Sequence, residues 1–420
     1  MDASAKVSDS AVAYQPADAG GRLWIVVLAA GAVMGLALGV RHVQGLFLLP
    51  VTGARGWSRE LFGIALAVQN LAWGVAQPLA GMVADRHGAG RVVATGLLLY
   101  ALGLYGMSQA TTAAAFVLAA GLVVGVALAG TAFGVVYAAV SRLVAPARRP
   151  WTIGMAGAIG GLGQFALVPA AQALIGSRGW QVTLLLAGAA ALAMLPLARV
   201  LRERPAGSTA VPMPPQALGE ALREACRHRG FWLLNLGFLA CGFQLAFIAT
   251  HLPAYLADRG LAPEAAVAAL ATIALANVAG IYACGVLGGR YRPRTLLAGM
   301  YLVRSVAIAL FVLLPPGPLT LYPFAVVMGL LWLGTVPLTS AVLSGIFGLR
   351  YLGTLFGLVF VGHQLGSFLG VWLGGRVYDA TGSYAPVWLI AIALGLLAAA
   401  LHWPIDDRPL ARLQPGTCAT

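Results

Sequence analysis

The chain has 420 residues, of which 60% are hydrophobic and only 9% are charged, and its formal net charge at neutral pH is +13. Soluble globular domains carry about 45–50% apolar and about 25% charged residues, so this composition excludes a soluble domain. The positive charge is spread over short segments between long apolar runs, which favours contact with anionic lipid and argues against nucleic-acid binding.

Long apolar runs dominate the sequence from end to end. A bilayer core needs about 20 apolar residues per helix. The runs are too long for barrel strands and lack period-2 alternation, so they predict an all-α membrane protein with twelve transmembrane helices. They lie at approximately 23–50, 60–84, 92–110, 113–141, 150–176, 181–200, 230–257, 265–289, 295–314, 319–346, 353–375 and 385–404.

The segments between and beyond these runs predict the domain organisation. A polar N-terminal tail, 1–22, precedes a six-helix half at 23–200, and a linker at 201–229 leads to a second half at 230–404 and a tail at 405–420. The last part of the linker can form an amphipathic helix on the membrane surface. The polar start of the chain lacks the features of a cleaved signal peptide. The four scattered cysteines predict neither a disulfide framework nor a metal site, and we expect no cofactor.

A short charged turn, 78–91, joins the second and third apolar runs. It reproduces most of the pattern G-x-x-x-D-R-x-G-x-[KR] at Gly81, Asp85, Arg86 and Gly88, with the basic residue, Arg91, one position later than in the pattern. This pattern belongs to the loop between helices two and three of the major facilitator superfamily, which the chain therefore resembles. The resemblance implies that Asp85 docks on the opposite half of the bundle as a gate, with Gly81, Arg86 and Arg91 around it. An acid at a helix C-terminus is disfavoured by the helix dipole and needs such a partner.

A second, weaker copy of the pattern lies at 285–294, where Gly285 corresponds to Gly81 and Arg290 to Arg86. Gly289 replaces the acid. Internal similarity at half the chain length is typical of two fused six-helix repeats. We therefore expect two pseudo-symmetric halves, with Arg290 at the gate and with a carboxylate contact from the first copy alone.

The distribution of the 26 basic residues predicts the orientation. Most of them lie on the side that holds both tails, the linker and the charged turn. By the positive-inside rule this side is cytoplasmic. The chain is thus expected to be a multi-pass protein of a bacterial inner membrane, functional as a monomer, with both termini in the cytoplasm.

Several stretches narrow the resemblance within the superfamily. The segments at 39–50, 56–60, 69–81 and 374–384 are similar to the monocarboxylate and oxalate/formate porters. This resemblance implies transport of a small organic anion by alternating access. One departure is clear: eukaryotic monocarboxylate porters carry an Asp and an Arg in helix eight, whereas 265–289 has neither.

Two arginines, Arg41 and Arg304, fall inside the predicted helices, whereas all 13 acidic residues fall in loops or tails. A charge at membrane depth costs at least about 2.5 kcal/mol and so faces a cavity or a partner. Arginine binds a carboxylate bidentately and keeps its charge, which suits capture of an anionic substrate. Alternatively, Arg41 caps carbonyls near the outer surface, and Arg304 holds helices together through carbonyls of helices eight and ten.

Polar residues in the predicted helices form a second group of candidates for substrate or proton binding. Each could instead make an interhelical hydrogen bond. His251 is the preferred proton carrier, because Gln244 lies on the same helical face two turns away and could orient the anion. The other candidates are His42, Tyr137, Gln164, Asn277, His363 and Gln364.

The sequence therefore favours a secondary transporter of a small organic anion, a monocarboxylate, with proton symport. A drug or metabolite exporter working by proton antiport is the alternative, although the helix-five Gly-Pro pair of such exporters is missing. A non-transporting sensor is a more remote one. No enzyme motif such as H-E-x-x-H or G-x-S-x-G occurs, so we do not expect an enzyme.

Overall fold

The computed structural model describes residues 20–144, 149–202, 216–348 and 351–410. Nearly all of these residues are helical, and the described ranges contain no strand. We number the membrane spans 1 to 12 in chain order. The face that holds Gly88 and Gly348 is called the linker side, and the face that holds Gly56, Gly179 and Gly382 is called the far side.

The first six spans occupy the N-terminal part of the chain. Span 1 consists of Gly20–His42 and Gln44–Arg55, span 2 is Arg59–His87 and span 3 is Ala89–Gln109. Span 4 consists of Ala113–Phe116, the π-helical Val117–Val123, Val124–Thr131 and Phe133–Leu143. Spans 5 and 6 lie within Arg149–Ala193, and Leu195–Val200 continues span 6.

The short helix Leu218–Arg227 then leads into the C-terminal spans. Spans 7, 8 and 9 are Arg229–Asp258, Pro263–Gly288 and Pro293–Leu313. Span 10 consists of Pro318–Leu330 and Thr335–Phe347, span 11 is Leu352–Thr381 and span 12 is Ala385–His402. Parts of the predicted tails and linker, 1–19, 203–215 and 411–420, lie outside the described residues.

Ten helical stretches of the described residues are long and apolar enough to cross a membrane. One of them, 152–200, divides at Gly179, whose φ of 82° is favourable only for glycine. Span 2 is a further helix of 29 residues. Large apolar side chains such as Leu102, Leu313 and Leu319 are exposed on the outer surface, as lipid-facing residues are. The predicted all-α architecture of twelve spans is confirmed.

Four of the predicted continuous runs are interrupted. Span 1 breaks at Val43, span 4 at Ala132, where the backbone is extended, span 6 at Met194, and span 10 between Leu330 and Thr335. Backbone groups freed by such breaks must find partners inside the protein, because lipid offers none. Apolar runs therefore predict spans but do not show where the helix within a span is broken.

Polar side chains from neighbouring spans support the break in span 10. Arg304 of span 9 donates hydrogen bonds from Nη2 to the carbonyls of Leu331 and Trp332, the latter at 2.7 Å. Asn277 of span 8 accepts a hydrogen bond from the backbone N–H of Leu333 at 3.0 Å. The carbonyls of Leu331 and Trp332 and the N–H of Leu333, which the break leaves free, thus have hydrogen-bond partners inside the protein.

A row of glycines in span 11 allows span 7 to approach closely. Added Cβ atoms on Gly366 and Gly370 would collide with the carbonyls of Leu239 and Phe243. On the other side of the bundle, a Cβ on Gly125 of span 4 would lie 2.6 Å from the carbonyl of Gln69 in span 2. Small residues at four-residue spacing are the usual means of close helix packing in membranes.

Candidate functional site

A cavity of about 650 Å³ lies between spans 1, 2, 4 and 5 and spans 7, 10 and 11. Its lining runs from Arg41 and His363, at the middle of their spans, to Met82, Leu218 and Tyr351 near the linker side. Met82 and Leu218 are exposed. The cavity therefore opens toward the linker side, and its volume is in the range of small-molecule sites.

Arg41 lies at the deep end of the cavity. Its Nη2 donates a hydrogen bond to the side-chain oxygen of Asn70 at 2.5 Å, and its guanidinium lies 5.1 Å from the centre of the Trp73 ring. The Nε atom is buried and has no hydrogen-bond partner. No Asp or Glu lines the cavity in the described ranges. The guanidinium is thus held by neutral groups, and its charge is not balanced by a carboxylate of the cavity wall.

Three more of the predicted residues line the cavity: His42, Gln164 and His363. His42 donates from Nε2 to the carbonyl of Leu270 in span 8 at 3.0 Å. His363 donates from Nδ1 to the side-chain oxygen of Gln364 at 3.1 Å. Both imidazoles are therefore oriented by hydrogen bonds while part of the ring lines the cavity.

The other predicted polar residues lie outside the cavity lining. Gln244 is fully buried and donates to the carbonyl of Ala391 in span 12 at 2.9 Å, and Asn277 and Arg304 hold the break in span 10. Arg304 therefore contacts carbonyls of span 10, one of the two helices named in the alternative considered for it. Tyr137 lies beside Phe133 with ring centres 5.6 Å apart and the rings tilted to each other, and Gln364 is buried beside His363.

The predicted gate residues are on the linker side. Gly81 lines the mouth of the cavity, where an added Cβ would meet open space. Arg91 and Arg290 are exposed. The side chains of Asp85 and Arg86 lie outside the described residues, so their predicted contacts stay predictions.

The far side of the cavity is closed by a cluster of charged residues that the sequence analysis did not identify as a unit. Arg59 of span 2 donates from both terminal nitrogens to Asp258 of span 7, at 2.7 and 2.8 Å. Its guanidinium also lies 3.8 Å from the centre of the Tyr378 ring and donates to the Tyr384 hydroxyl at 3.1 Å. A bidentate, charge-assisted pair of this kind is stronger and more directional than a neutral hydrogen bond.

A second contact joins spans 2 and 11 beside it. The backbone N–H of Glu60 donates to Asp379 at 2.7 Å, and the Glu60 carboxylate lies 3.3 Å from Arg376. The Asp379 carboxylate lies at the N-terminus of span 2, where the helix dipole favours a negative charge. A Cβ on Gly375 would lie 2.6 Å from the Arg59 carbonyl, so the two spans meet backbone to backbone. We call Arg59, Asp258 and these contacts the far-side seal.

His251 lies beneath the far-side seal and not in the cavity lining. Its Nε2 donates to the carbonyl of Val371 at 2.9 Å, so the neutral ring accepts at Nδ1 from the Tyr384 hydroxyl, 3.3 Å away. Burial raises the pKa of the Tyr384 phenol well above its ordinary value, so this hydroxyl keeps its proton. A chain of hydrogen bonds thus runs from Arg59 through Tyr384 to His251.

The sequence contained a signal for the far-side seal. Arg59 and Glu60 come just after Gly56, Trp57 and Ser58 at the start of a span, and Asp379 lies near the end of another span. Charges at span ends are common, however, and nothing in the sequence pairs Arg59 with Asp258. Within the described ranges, no group of three or more His, Cys, Asp or Glu side chains is placed to hold a metal ion.

Comparison with known proteins places this architecture in a family. Residues 23–338 and 274–419 match the sequence model of the Major Facilitator Superfamily. The chain belongs to this superfamily. Monocarboxylate transporter 11 from Homo sapiens is 30% identical over 92% of this chain and 83% of its own length, and Monocarboxylate transporter 13 from Bos taurus is 28% identical over 95% and 94%.

A solved structure supports the fold. A bacterial homologue of the human lysosomal transporter Spinster, in an inward-facing and unoccupied conformation, superposes with a TM-score of 0.70 at 18% identity, over 91% of this chain and 94% of its own. The similar proteins are transporters of the superfamily and not enzymes. The chain is therefore a multi-pass membrane transporter, as the resemblance in its charged turn indicated.

Removing the Arg59 guanidinium should open the far-side seal. Hydrogen bonds to charged groups contribute about 1.5–3 kcal/mol, so Arg59→Gln should favour the opened state by about tenfold or more. We would measure the rate at which a cysteine replacing Ala249, at the cavity lining, reacts with a membrane-impermeant maleimide added on the far side. The reactive native cysteines are removed first.

Arg376→Gln is the matched control, because this arginine is 60% exposed and its contact with Glu60 is correspondingly weak. An unchanged labelling rate in Arg59→Gln, or an equal rise in Arg376→Gln, would show that the Arg59–Asp258 pair does not hold the far side closed.

Proposed function

We propose that this transporter carries a small organic anion, a monocarboxylate, by alternating access and together with a proton. One observation carries the proposal: Arg41 projects into the cavity with no carboxylate among the described lining residues. The names of the relatives, Monocarboxylate transporter 11 and 13, support the same substrate class.

The physical reason is charge compensation. A guanidinium removed from water needs a counter-ion or several acceptors, and Arg41 has one amide oxygen and the face of Trp73. A substrate carboxylate can approach from the open cavity and complete the coordination. Because the guanidinium keeps its charge throughout the cycle, the site can bind and release the anion repeatedly.

Alternating access requires a second state in which the linker side closes and the far side opens. In that state the Arg59–Asp258 pair must separate, since it joins spans 2 and 7 across the far side. On the linker side we propose that Asp85, with Gly81, Arg86, Arg91 and Arg290 nearby, makes the closing contacts. The protein would lie in a bacterial inner membrane, with the linker side and both termini facing the cytoplasm.

We propose His251 as the proton-binding group. With the far side closed, Nδ1 of the neutral ring accepts a hydrogen bond from the Tyr384 hydroxyl. A proton on Nδ1 would turn this nitrogen into a donor, although the Tyr384 hydroxyl already accepts a hydrogen bond from Arg59. The closed far side then binds the proton less well than a state in which these groups have separated, so protons favour opening. Arg59 and Asp379 are the charged groups that act on this imidazole, and Asp258 on span 7 and Tyr378 on span 11 act on the Tyr384 hydroxyl.

Arg41→Ala should abolish anion uptake while leaving the protein folded in the membrane, because the carboxylate loses the group that compensates its desolvation. Arg41→Lys should also lose most uptake, since a point charge does not reproduce the planar donor pair. Uptake of a radiolabelled carboxylate into proteoliposomes would measure both. Arg55→Ala, in the same span but outside the cavity lining, is the control; near-normal affinity in Arg41→Ala would remove this arginine from the site.

Asp85→Asn should slow the transport cycle more than it weakens binding, because the proposed gate contact is charge-assisted and lies away from the substrate. Binding to the purified protein should survive while the rate of uptake falls. If binding falls in proportion to uptake, Asp85 does not act as a gate.

Uptake should rise as the pH on the far side falls from about 8 to about 5.5, the range in which an ordinary histidine titrates. His251→Gln should flatten this dependence: exchange of substrate continues, but accumulation driven by a pH gradient is lost. His402→Gln, a buried histidine of span 12 that binds the carbonyl of Ala398, is the matched control. Unchanged accumulation and pH response in His251→Gln would assign proton binding to another group.

A further inference from the structure

One wall of the cavity is built from a chain of aromatic rings that starts at Arg41. The guanidinium lies over Trp73, and the Trp73 ring meets Phe360 edge to face at 5.3 Å. Phe360 stacks on His363 at 5.6 Å with the rings nearly parallel, and His363 lies 4.7 Å from Phe238. We call Trp73, Phe238, Phe360 and His363 the aromatic wall.

Part of this surface is open to the cavity. Phe360 lines the cavity and is only half-buried. Phe356, whose ring stacks on Phe360 at 6.3 Å, and Phe133 of span 4 also line the cavity and are half-buried. The Trp332 ring adds to the lining beside His42. Aromatic rings at the surface of a preformed pocket bind apolar and aromatic groups by burial and by offset or edge-to-face stacking.

We propose that the preferred substrate is a monocarboxylate that bears an aromatic ring on a short aliphatic spacer, such as an arylacetate or an arylpropionate. The inference rests on the proposed function and specifies its substrate. The carboxylate binds Arg41, and the ring packs against Phe360 and the neighbouring rings of the aromatic wall. The spacer is short because only the Trp73 ring stands between the two contacts: it lies 5.1 Å from the Arg41 guanidinium and 5.3 Å from the Phe360 ring.

The charge of the cavity selects among aromatic compounds. Arg41 attracts the carboxylate, whereas an ammonium group would meet the same positive charge and find no Asp or Glu in the described lining. Aromatic amino acids and aromatic amines are therefore disfavoured. Neutral aromatic compounds fit the wall but leave the guanidinium without a counter-ion.

Calorimetric binding to the purified full-length transporter tests this directly. We expect phenylacetate and 3-phenylpropionate to bind at least about tenfold more tightly than acetate or lactate, because only the first two have a ring that can pack against the aromatic wall. Phenylacetamide, which keeps the ring and loses the charge, and phenylalanine, which adds an ammonium group, should each bind at least about tenfold more weakly than phenylacetate.

Phe360→Leu separates ring recognition from anion binding. The ratio of phenylacetate affinity to acetate affinity should fall by about tenfold in this variant. Phe368→Leu is the matched control, because Phe368 lies in the same span but packs against Trp372 outside the cavity lining; its ratio should be unchanged. Thermal unfolding of each variant checks that the fold is retained.

The outcomes distinguish the two proposals. If acetate and phenylacetate bind equally, and both are lost in Arg41→Ala, the transporter handles carboxylates but the aromatic preference is overturned. If phenylacetamide binds as tightly as phenylacetate, the proposed anion site itself is overturned. If the unsubstituted transporter prefers phenylacetate but Phe360→Leu leaves the ratio of phenylacetate affinity to acetate affinity unchanged, the aromatic wall does not bind the ring.

Discussion

The cost of an unpaired charge or backbone group inside the membrane is the constraint on which this structure depends. Two arginines lie at membrane depth, and their charges are compensated in different ways. Arg304 donates to the carbonyls of Leu331 and Trp332, so its charge supports a broken helix. Arg41 has only Asn70 and the Trp73 ring, and it faces open space. The terminal nitrogen of Arg304 is bound to carbonyls of the protein and this arginine lies outside the cavity lining, whereas Arg41 lines the cavity and leaves room for an anion.

Spans 2 and 11 contribute residues both to the closed far side and to the open mouth of the cavity. On the far side they meet at Gly375 and are held by the contacts of Arg59 with Tyr378 and of Glu60 with Asp379, whereas toward the linker side Met82 and Tyr351 line an open mouth. Strong polar contacts at one end and separation at the other are what a rigid-body movement of two packed groups of helices requires. The glycine-lined contact between spans 7 and 11 would allow these two spans to move together.

The membrane histidines divide into two environments. His42 and His363 contact the cavity and its aromatic rings, while His251 lies under the far-side seal and is joined through Tyr384 to Arg59. The sequence made all three candidates for substrate or proton binding. In the structure His251 lies outside the cavity lining that includes Arg41, so the proposed anion binding and the proposed proton binding would be linked through the conformational equilibrium rather than through direct contact.

The sequence by itself determined the class and the family of this protein. Twelve long apolar runs admit only membrane helices, because backbone groups in lipid must be paired within each segment, and the charged turn with its second copy indicated the superfamily. Tertiary structure alone decided which polar residues face the cavity. Arg59 and Asp258 are 199 residues apart, and their pairing depends on the rotation and close approach of whole helices. A polar residue in a span can be satisfied by any neighbouring helix, and the sequence does not record which one lies there.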